Sequence, residues 1–299
     1  MSRRQGETAG LLLAAYCIAN TAFVPAAAKL TTALADGLTI ALFTSFFGGV
    51  TVLALLAARG RLALLWPRRD LWTLVAIGAL GTGVAFLLFY SGAKRVTAIE
   101  TALCVQTETI YSLIGTRFVL GYPVSKRRIA AVTAIGAGIL LAIGTQPVSG
   151  WLGLGLLLAT PLAWQASHWL ALKRLTVFDP LQLSAARYVY GTAVLLALWL
   201  ATDGPSALPA RANLGGFLPG VALQGAVLSF GGTLAWYGAV KRLDLTRTTA
   251  LVVPSAPIVS LVVSFLVLGE QPSLREVCGF LIASAGVLTF ALSPSVTRD

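Results

Sequence analysis

Ionisable and amide side chains set inside long apolar runs are the groups of this chain that could do chemistry. Glu108 is the sharpest of them, about eleven residues from either end of the apolar run 97–119. A carboxylate at the centre of a bilayer costs roughly 2.5–3.5 kcal/mol, so such a residue is expected to face a cavity or a partner. It reads either as a proton carrier or counter-charge to a substrate amine, or as a buried structural hydrogen-bonding group. At helical spacing Thr101, Cys104, Glu108, Tyr111 and Gly115 share one stripe, which places Tyr111 beside Glu108 on a cavity wall. Arg187 lies about six residues into the run 181–201, roughly 9 Å deep at 1.5 Å per residue. Its long side chain can snorkel outward, or turn inward to pair with Glu108 or grip a substrate carboxylate bidentately. In the run 152–172, Trp164, Gln165 and His168 follow Pro161. Gln165 and His168 are three apart and share a face; His168 reads as a packing residue or a ligand. Asn20 occupies the position that matches Gln165 in the first run, so the two amides are candidates to face one cavity. Pro254 and Pro257 remove two backbone donors from the run 246–268, which suits a hinge with free carbonyls. Glu100, near a run's outer end, is expected to be solvated or paired with Lys94 or Arg95.

These residues need elements to hold them, and composition says which kind. Of 299 residues, 57% are apolar and 11% charged, and the mean hydropathy is +0.83. A soluble chain carries roughly 25% charged residues, so soluble globular and disordered classes are excluded. The net charge of +11 comes from short basic clusters between apolar runs, a membrane pattern and not a nucleic-acid-binding face. A helix needs about 20 apolar residues to cross the hydrocarbon layer. Ten such runs are present, at 9–29, 38–58, 71–92, 97–119, 128–146, 152–172, 181–201, 214–238, 246–268 and 275–293. The expected fold is therefore an all-α integral membrane protein with ten transmembrane helices. With the N-terminus inside, fourteen Lys and Arg gather on one face and five on the other. Basic residues are retained on the cytoplasmic side, so both termini are expected there. The first run is expected to stay as a span and not to be cleaved as a signal, because Asn20 and Thr21 interrupt its apolar core. Cys17, Cys104 and Cys278 read as small packing side chains. One histidine and no cysteine pair at ligand spacing point to no metal, and no phosphate-binding glycine loop points to no nucleotide cofactor.

The chain repeats itself. Leu11–Ala14 aligns with Leu156–Ala159 at an offset of 145, and the stretch from Ala102 to Gly138 aligns with that from Ala250 to Gly286 at an offset of 148. This divides the sequence into repeats at 1–148 and 149–299. Five runs per repeat is an odd number, so the second must enter the membrane inverted, as in many secondary transporters. The segments Val119–Ser125 with Gly136–Leu140, and Leu266–Ser273 with Ala285–Leu288, resemble the closing signatures of EamA-type carriers of the drug/metabolite transporter superfamily. The resemblance covers essentially the whole chain. It implies a plasma-membrane carrier, often an exporter, of small metabolites such as amino acids. One departure is that the proline-bearing fourth span of the family reads here as Val105-Gln106-Thr107-Glu108.

The expectation is a secondary active transporter, not an enzyme, that moves an amino acid, amine or similar amphipathic solute by alternating access. Its partners are the substrate, membrane lipid and a coupling proton, and it acts as a monomer or homodimer without nucleic acid. Within transport, the competing reading is a sugar-phosphate or nucleotide-sugar exchanger, which needs several inward Lys or Arg. The readings from other classes are a passive channel, a non-transporting membrane protein, or an intramembrane enzyme using His168 with Ser167 or another serine.

Overall fold

Helix forms along all ten apolar runs in the computed structural model, which describes residues 3–293 apart from 68, 120, 122, 145–149, 173–179, 203 and 244. The side chain of Pro254 lies outside the described residues. In order, the helices are α1 (Arg3–Thr32), α2 (Gly37–Ala58), α3 (Leu71–Gly78), α4 (Ala85–Ala93), α5 (Ala98–Val105), α6 (Glu108–Phe118), α7 (Lys126–Ile143), α8 (Trp151–Leu172), α9 (Pro180–Ala201), α10 (Arg211–Ala222), α11 (Gly232–Leu243), α12 (Leu245–Leu268) and α13 (Leu274–Ala291). Among the described residues, six helical stretches are long and apolar enough to cross a membrane: Gly6–Thr32, Gly37–Ala58, Leu71–Ala93, Leu181–Ala201, Arg211–Trp236 and Leu274–Ala291. The protein is an all-α, multi-pass membrane protein.

Local chemistry sets where the helices begin. Asp36 caps α2 by accepting from the N–H groups of Leu38 (2.8 Å) and Thr39 (2.9 Å). Thr97 with Glu100 and Ser273 with Glu276 form reciprocal capping boxes on α5 and α13, each satisfying two otherwise orphaned donors. Glu100 is therefore neither solvated nor paired with Lys94 or Arg95: it is 2% exposed and accepts from the Thr97 N–H at 2.8 Å. Lys94 donates instead to the Ala35 carbonyl, and Arg95 to that of Ser91. Glu270, in the turn before α13, completes the α5 terminus by accepting from Ala98 N (2.9 Å) and Ile99 N (3.1 Å).

Three runs depart from a plain helix. The third and eighth each contain a π-helical segment, at Ala79–Val84 and Leu223–Gly231. Such segments widen the backbone spacing and often sit at functional sites. The fourth run is interrupted between α5 and α6. There the N–H groups of Gln106 and Thr107 donate to Leu103 and Cys104, three residues back, and the Thr107 hydroxyl donates to the Cys104 carbonyl at 2.7 Å. These bonds tighten the chain into a turn, so Glu108 opens a helix and does not sit midway along one.

Two compact units emerge, and each draws on both halves of the sequence. The first comprises residues 1–26, 96–154 and 231–299, and the second residues 27–95 and 155–230. In the first, α7 lies against α13 with backbones touching: a Cβ added at Gly138 would fall 2.5 Å from the Gly279 carbonyl oxygen, and one at Gly279 equally close to that of Gly138. Small residues permit this approach where apolar lipid provides little drive for association. In the second, α2 packs on α9, joined by the Ser45 and Thr192 hydroxyls at 2.6 Å and by Trp199 Nε1 donating to Thr39 Oγ1 at 3.0 Å. The third run crosses the same α9 at Gly78 and Gly191, where a Cβ at Gly78 would fall 2.5 Å from the Ala186 carbonyl oxygen.

Candidate functional site

The candidates from the sequence fall into two groups. Asn20, Glu108, Tyr111, Pro254 and Pro257 belong to the first unit; Trp164, Gln165, His168 and Arg187 belong to the second.

The second group has the fuller geometry. Arg187, on α9, reaches across to the third apolar run and to α8. Its Nη2 donates to the Gly81 carbonyl at 2.9 Å, and its Nη1 lies 3.5 Å from His168 Nε2. Gly81 sits inside the first π-helical segment, where widened spacing turns a carbonyl toward a side-chain donor. Only a glycine fits there, because a Cβ would fall 2.5 Å from Ser167 Oγ and 3.0 Å from Arg187 Nε. Ser167 is itself tied to the Ile77 carbonyl at 2.9 Å, so its hydroxyl proton is committed to the backbone. Arg187 Nε is buried without a partner among the described residues. Neither group that its guanidinium meets is a carboxylate, which leaves this partly buried cation without a counter-charge among the described residues.

Trp164 precedes His168 by one helical turn, so the two share a face of α8. Its ring lies against Phe89, with centroids 6.2 Å apart, and its Nε1 is buried without a partner among the described residues. Gln165 is buried at 8% exposure. An aromatic cluster of Phe86, Phe89, Tyr90, Tyr188 and Phe230 continues from Trp164, with successive centroids 5.1–6.4 Å apart. The unit thus gathers a guanidinium and an indole N–H beside an apolar aromatic wall.

In the first group, Asn20 is buried at 5% exposure and abuts Gly232, where a Cβ would fall 3.0 Å from Asn20 Nδ2. The Cys17 thiol faces the Gly232 carbonyl at 3.8 Å. Glu108 and Tyr111 are half-buried in the first turn of α6. A carboxylate there meets the positive end of the helix dipole. Pro257 lies inside α12, whose helical conformation continues through both prolines.

Gly81 was not legible as a site residue, since its part is played by a backbone carbonyl and nothing in its type announces a π segment.

Buried polar groups along apolar spans are expected in a membrane protein that handles a polar solute. The profile of the EamA-like transporter family matches residues 8–144 and again residues 151–292, and the chain belongs to that family. A protein of Streptantibioticus cattleyicolor described as a probable terminal-alkyne amino-acid exporter is 28% identical over 246 residues, 80% of each chain. Protein PecM of Dickeya dadantii is 24% identical over 73% of each chain, and the uncharacterized transporter YyaM of Bacillus subtilis is 23% identical over 74% of this chain and 73% of its own. A solved crystal structure 18% identical to the chain shares the fold, with a TM-score of 0.65 over 97% of this chain and 98% of that one.

Proposed function

We propose that the chain is a secondary carrier of the plasma membrane, both termini cytoplasmic, that exports a small amphipathic metabolite bearing a carboxylate, of the amino-acid class. Its two inverted repeats, 1–148 and 149–299, alternate access to the substrate. Arg187 carries this reading: a guanidinium held within membrane-spanning helices by a carbonyl and an imidazole, with no acidic partner among the described residues. An enclosed charge left unpaired is costly, and a substrate carboxylate offsets that cost with two parallel hydrogen bonds. A single such cation suits a monoanionic end better than a phosphate. The Trp164 N–H adds a donor, and the aromatic wall takes the apolar part of the solute. The S. cattleyicolor protein described as a probable terminal-alkyne amino-acid exporter supports the same substrate class. Gln165 adds to the polar lining of the same unit, while the first unit supplies Glu108, which carries the coupling proton, the polar candidates Asn20 and Tyr111, and the hinge at Pro254 and Pro257.

The test is flux into proteoliposomes across matched series of amino acids, their amides and the corresponding amino alcohols. Wild-type protein is expected to move the carboxylates and to discriminate against both neutral analogues at least tenfold. Arg187→Gln should erase that discrimination, and Arg187→Lys should restore part of it. Equal transport of all three series by wild-type protein would refute carboxylate recognition by Arg187.

A further inference from the structure

The connection between α2 and α3 takes no part in the site around Arg187. Four arginines, Arg59, Arg61, Arg68 and Arg69, stand in it against one acid, Asp70. Its inner side is fixed to α9. Leu65 is fully buried, the Leu64 carbonyl accepts from Gln182 Nε2 at 2.6 Å, and the Leu65 carbonyl accepts from the Tyr190 hydroxyl. At its start Gly60 takes a φ of 63°, which favours glycine, and the Arg61 N–H returns to the Leu56 carbonyl at 2.9 Å. With that side held, the other is turned out. Arg59 and Arg69 are exposed, and so are Trp66, at 60%, and Trp72, at 81%, the two most exposed tryptophans among the described residues.

Open indole rings at the end of an apolar span settle at the headgroup level of a bilayer, where the ring meets hydrocarbon and the N–H meets polar groups. Guanidinium groups at that level pair with phosphate through two parallel hydrogen bonds, and basic clusters flanking a span draw anionic lipid. Other basic clusters lack this combination. In Lys126-Arg127-Arg128, Arg128 is engaged by the Ser293 carbonyl at 3.4 Å and by the Phe290 ring at 5.2 Å, and no tryptophan lies between residues 73 and 150. Arg242 folds back on the Gly238 carbonyl at 2.9 Å, and Trp236 near it packs against a buried cluster.

We propose that this connection and the first turn of α3 form a binding surface for anionic phospholipid. Arg59 and Arg69 pair with headgroup phosphates, and Trp66 and Trp72 lie along the upper acyl chains. Selection is for net negative charge, because the choline of a zwitterionic headgroup carries a cation that the arginines repel. The surface is pre-formed by its bonds to α9, so lipid binding orders no segment. It depends neither on Arg187 nor on what the protein carries.

The test is quenching of tryptophan fluorescence by brominated phosphatidylglycerol and brominated phosphatidylcholine, with the full chain in bilayers. A Trp66→Phe, Trp72→Phe double variant isolates the signal of these two rings. No flux is involved, so failure here and failure of the carrier reading are distinguishable. At low salt, phosphatidylglycerol should be preferred at these rings about fivefold or more. The preference should shrink as salt rises, since screening confines exposed charges to about 3 Å at 1 M. Arg59→Gln with Arg69→Gln should bring the ratio close to one, and Lys126→Gln with Arg127→Gln should leave it unchanged. Should a variant fail to fold, the wild-type ratio and its salt dependence still decide. Equal quenching of wild-type protein by the two lipids would overturn the assignment. So would an equal loss of preference in the Lys126 and Arg127 pair, which would make it an effect of overall charge.

Discussion

The fourth apolar run contains no proline yet divides at Gln106 and Thr107 into α5 and α6, whereas α12, at the matching place in the second half of the sequence, keeps its helix through Pro254 and Pro257. Both lie in the first compact unit. Proline removes one donor and crowds the preceding turn, but neighbouring groups in a membrane protein can satisfy the freed carbonyl and the helix continues. A threonine can end a helix without any such defect. The Thr107 hydroxyl and N–H both go to Cys104, three residues back, and the next helix begins afresh. Where the backbone groups find partners therefore decides continuity, and proline content alone does not. The consequence is chemical: the interruption puts Glu108 in the first turn of a helix, at the positive end of its dipole.

The largest effect should come from the residue that the interruption positions. If Glu108 carries the coupling proton, Glu108→Gln keeps the hydrogen-bonding shape and removes the titration. Flux driven by a pH gradient in proteoliposomes should fall at least tenfold, and exchange of substrate for substrate without a gradient should survive. A variant that still responds to the gradient as wild type does would place the coupling elsewhere, and Glu108 would be a structural group.

Next comes the turn itself. Thr107→Val removes the hydroxyl and keeps the shape, and Thr107 is buried at 6% exposure. The Cys104 carbonyl retains the Thr107 N–H at 3.1 Å, so the loss should be near the value of one net hydrogen bond, about 1 kcal/mol. Thermal unfolding in detergent reads the loss, and hydrogen exchange at Thr109 and Tyr111 reads whether α6 still starts at Glu108. Unchanged stability and unchanged exchange would mean that packing, and not this hydroxyl, breaks the run.

Much of the fold was legible because the signals were additive over many residues. Apolar runs about 20 residues long give helix positions to within a few residues. What escaped was decided by single atoms. Thr97-Ala98-Ile99-Glu100 has the spacing of a capping box, so the buried position of Glu100 could have been read; its nearness to Lys94 and Arg95 in sequence misled. No residue type marks the π segments, and without them Arg187 could be assigned neither the Gly81 carbonyl nor an inward direction. The turn before Glu108 was equally silent, since threonine occurs throughout the spans and only the hydrogen bond made here distinguishes Thr107.

The smallest effect belongs to the other side of the comparison. Pro257→Ala restores a backbone donor to a helix that is already continuous. The gain is bounded by one net hydrogen bond, no more than about 1 kcal/mol. Part of it is offset because alanine gives the unfolded chain more freedom than proline does. A small rise in melting temperature is expected, together with slower flux if the proline serves as the hinge, since a stiffer α12 resists the change between access states. A fall in melting temperature would show that neighbouring helices are fitted to the proline ring, making the proline a packing residue. A rise with unchanged flux would leave α12 a rigid strut and move the hinge to the turn before Glu108, where the chain is already divided.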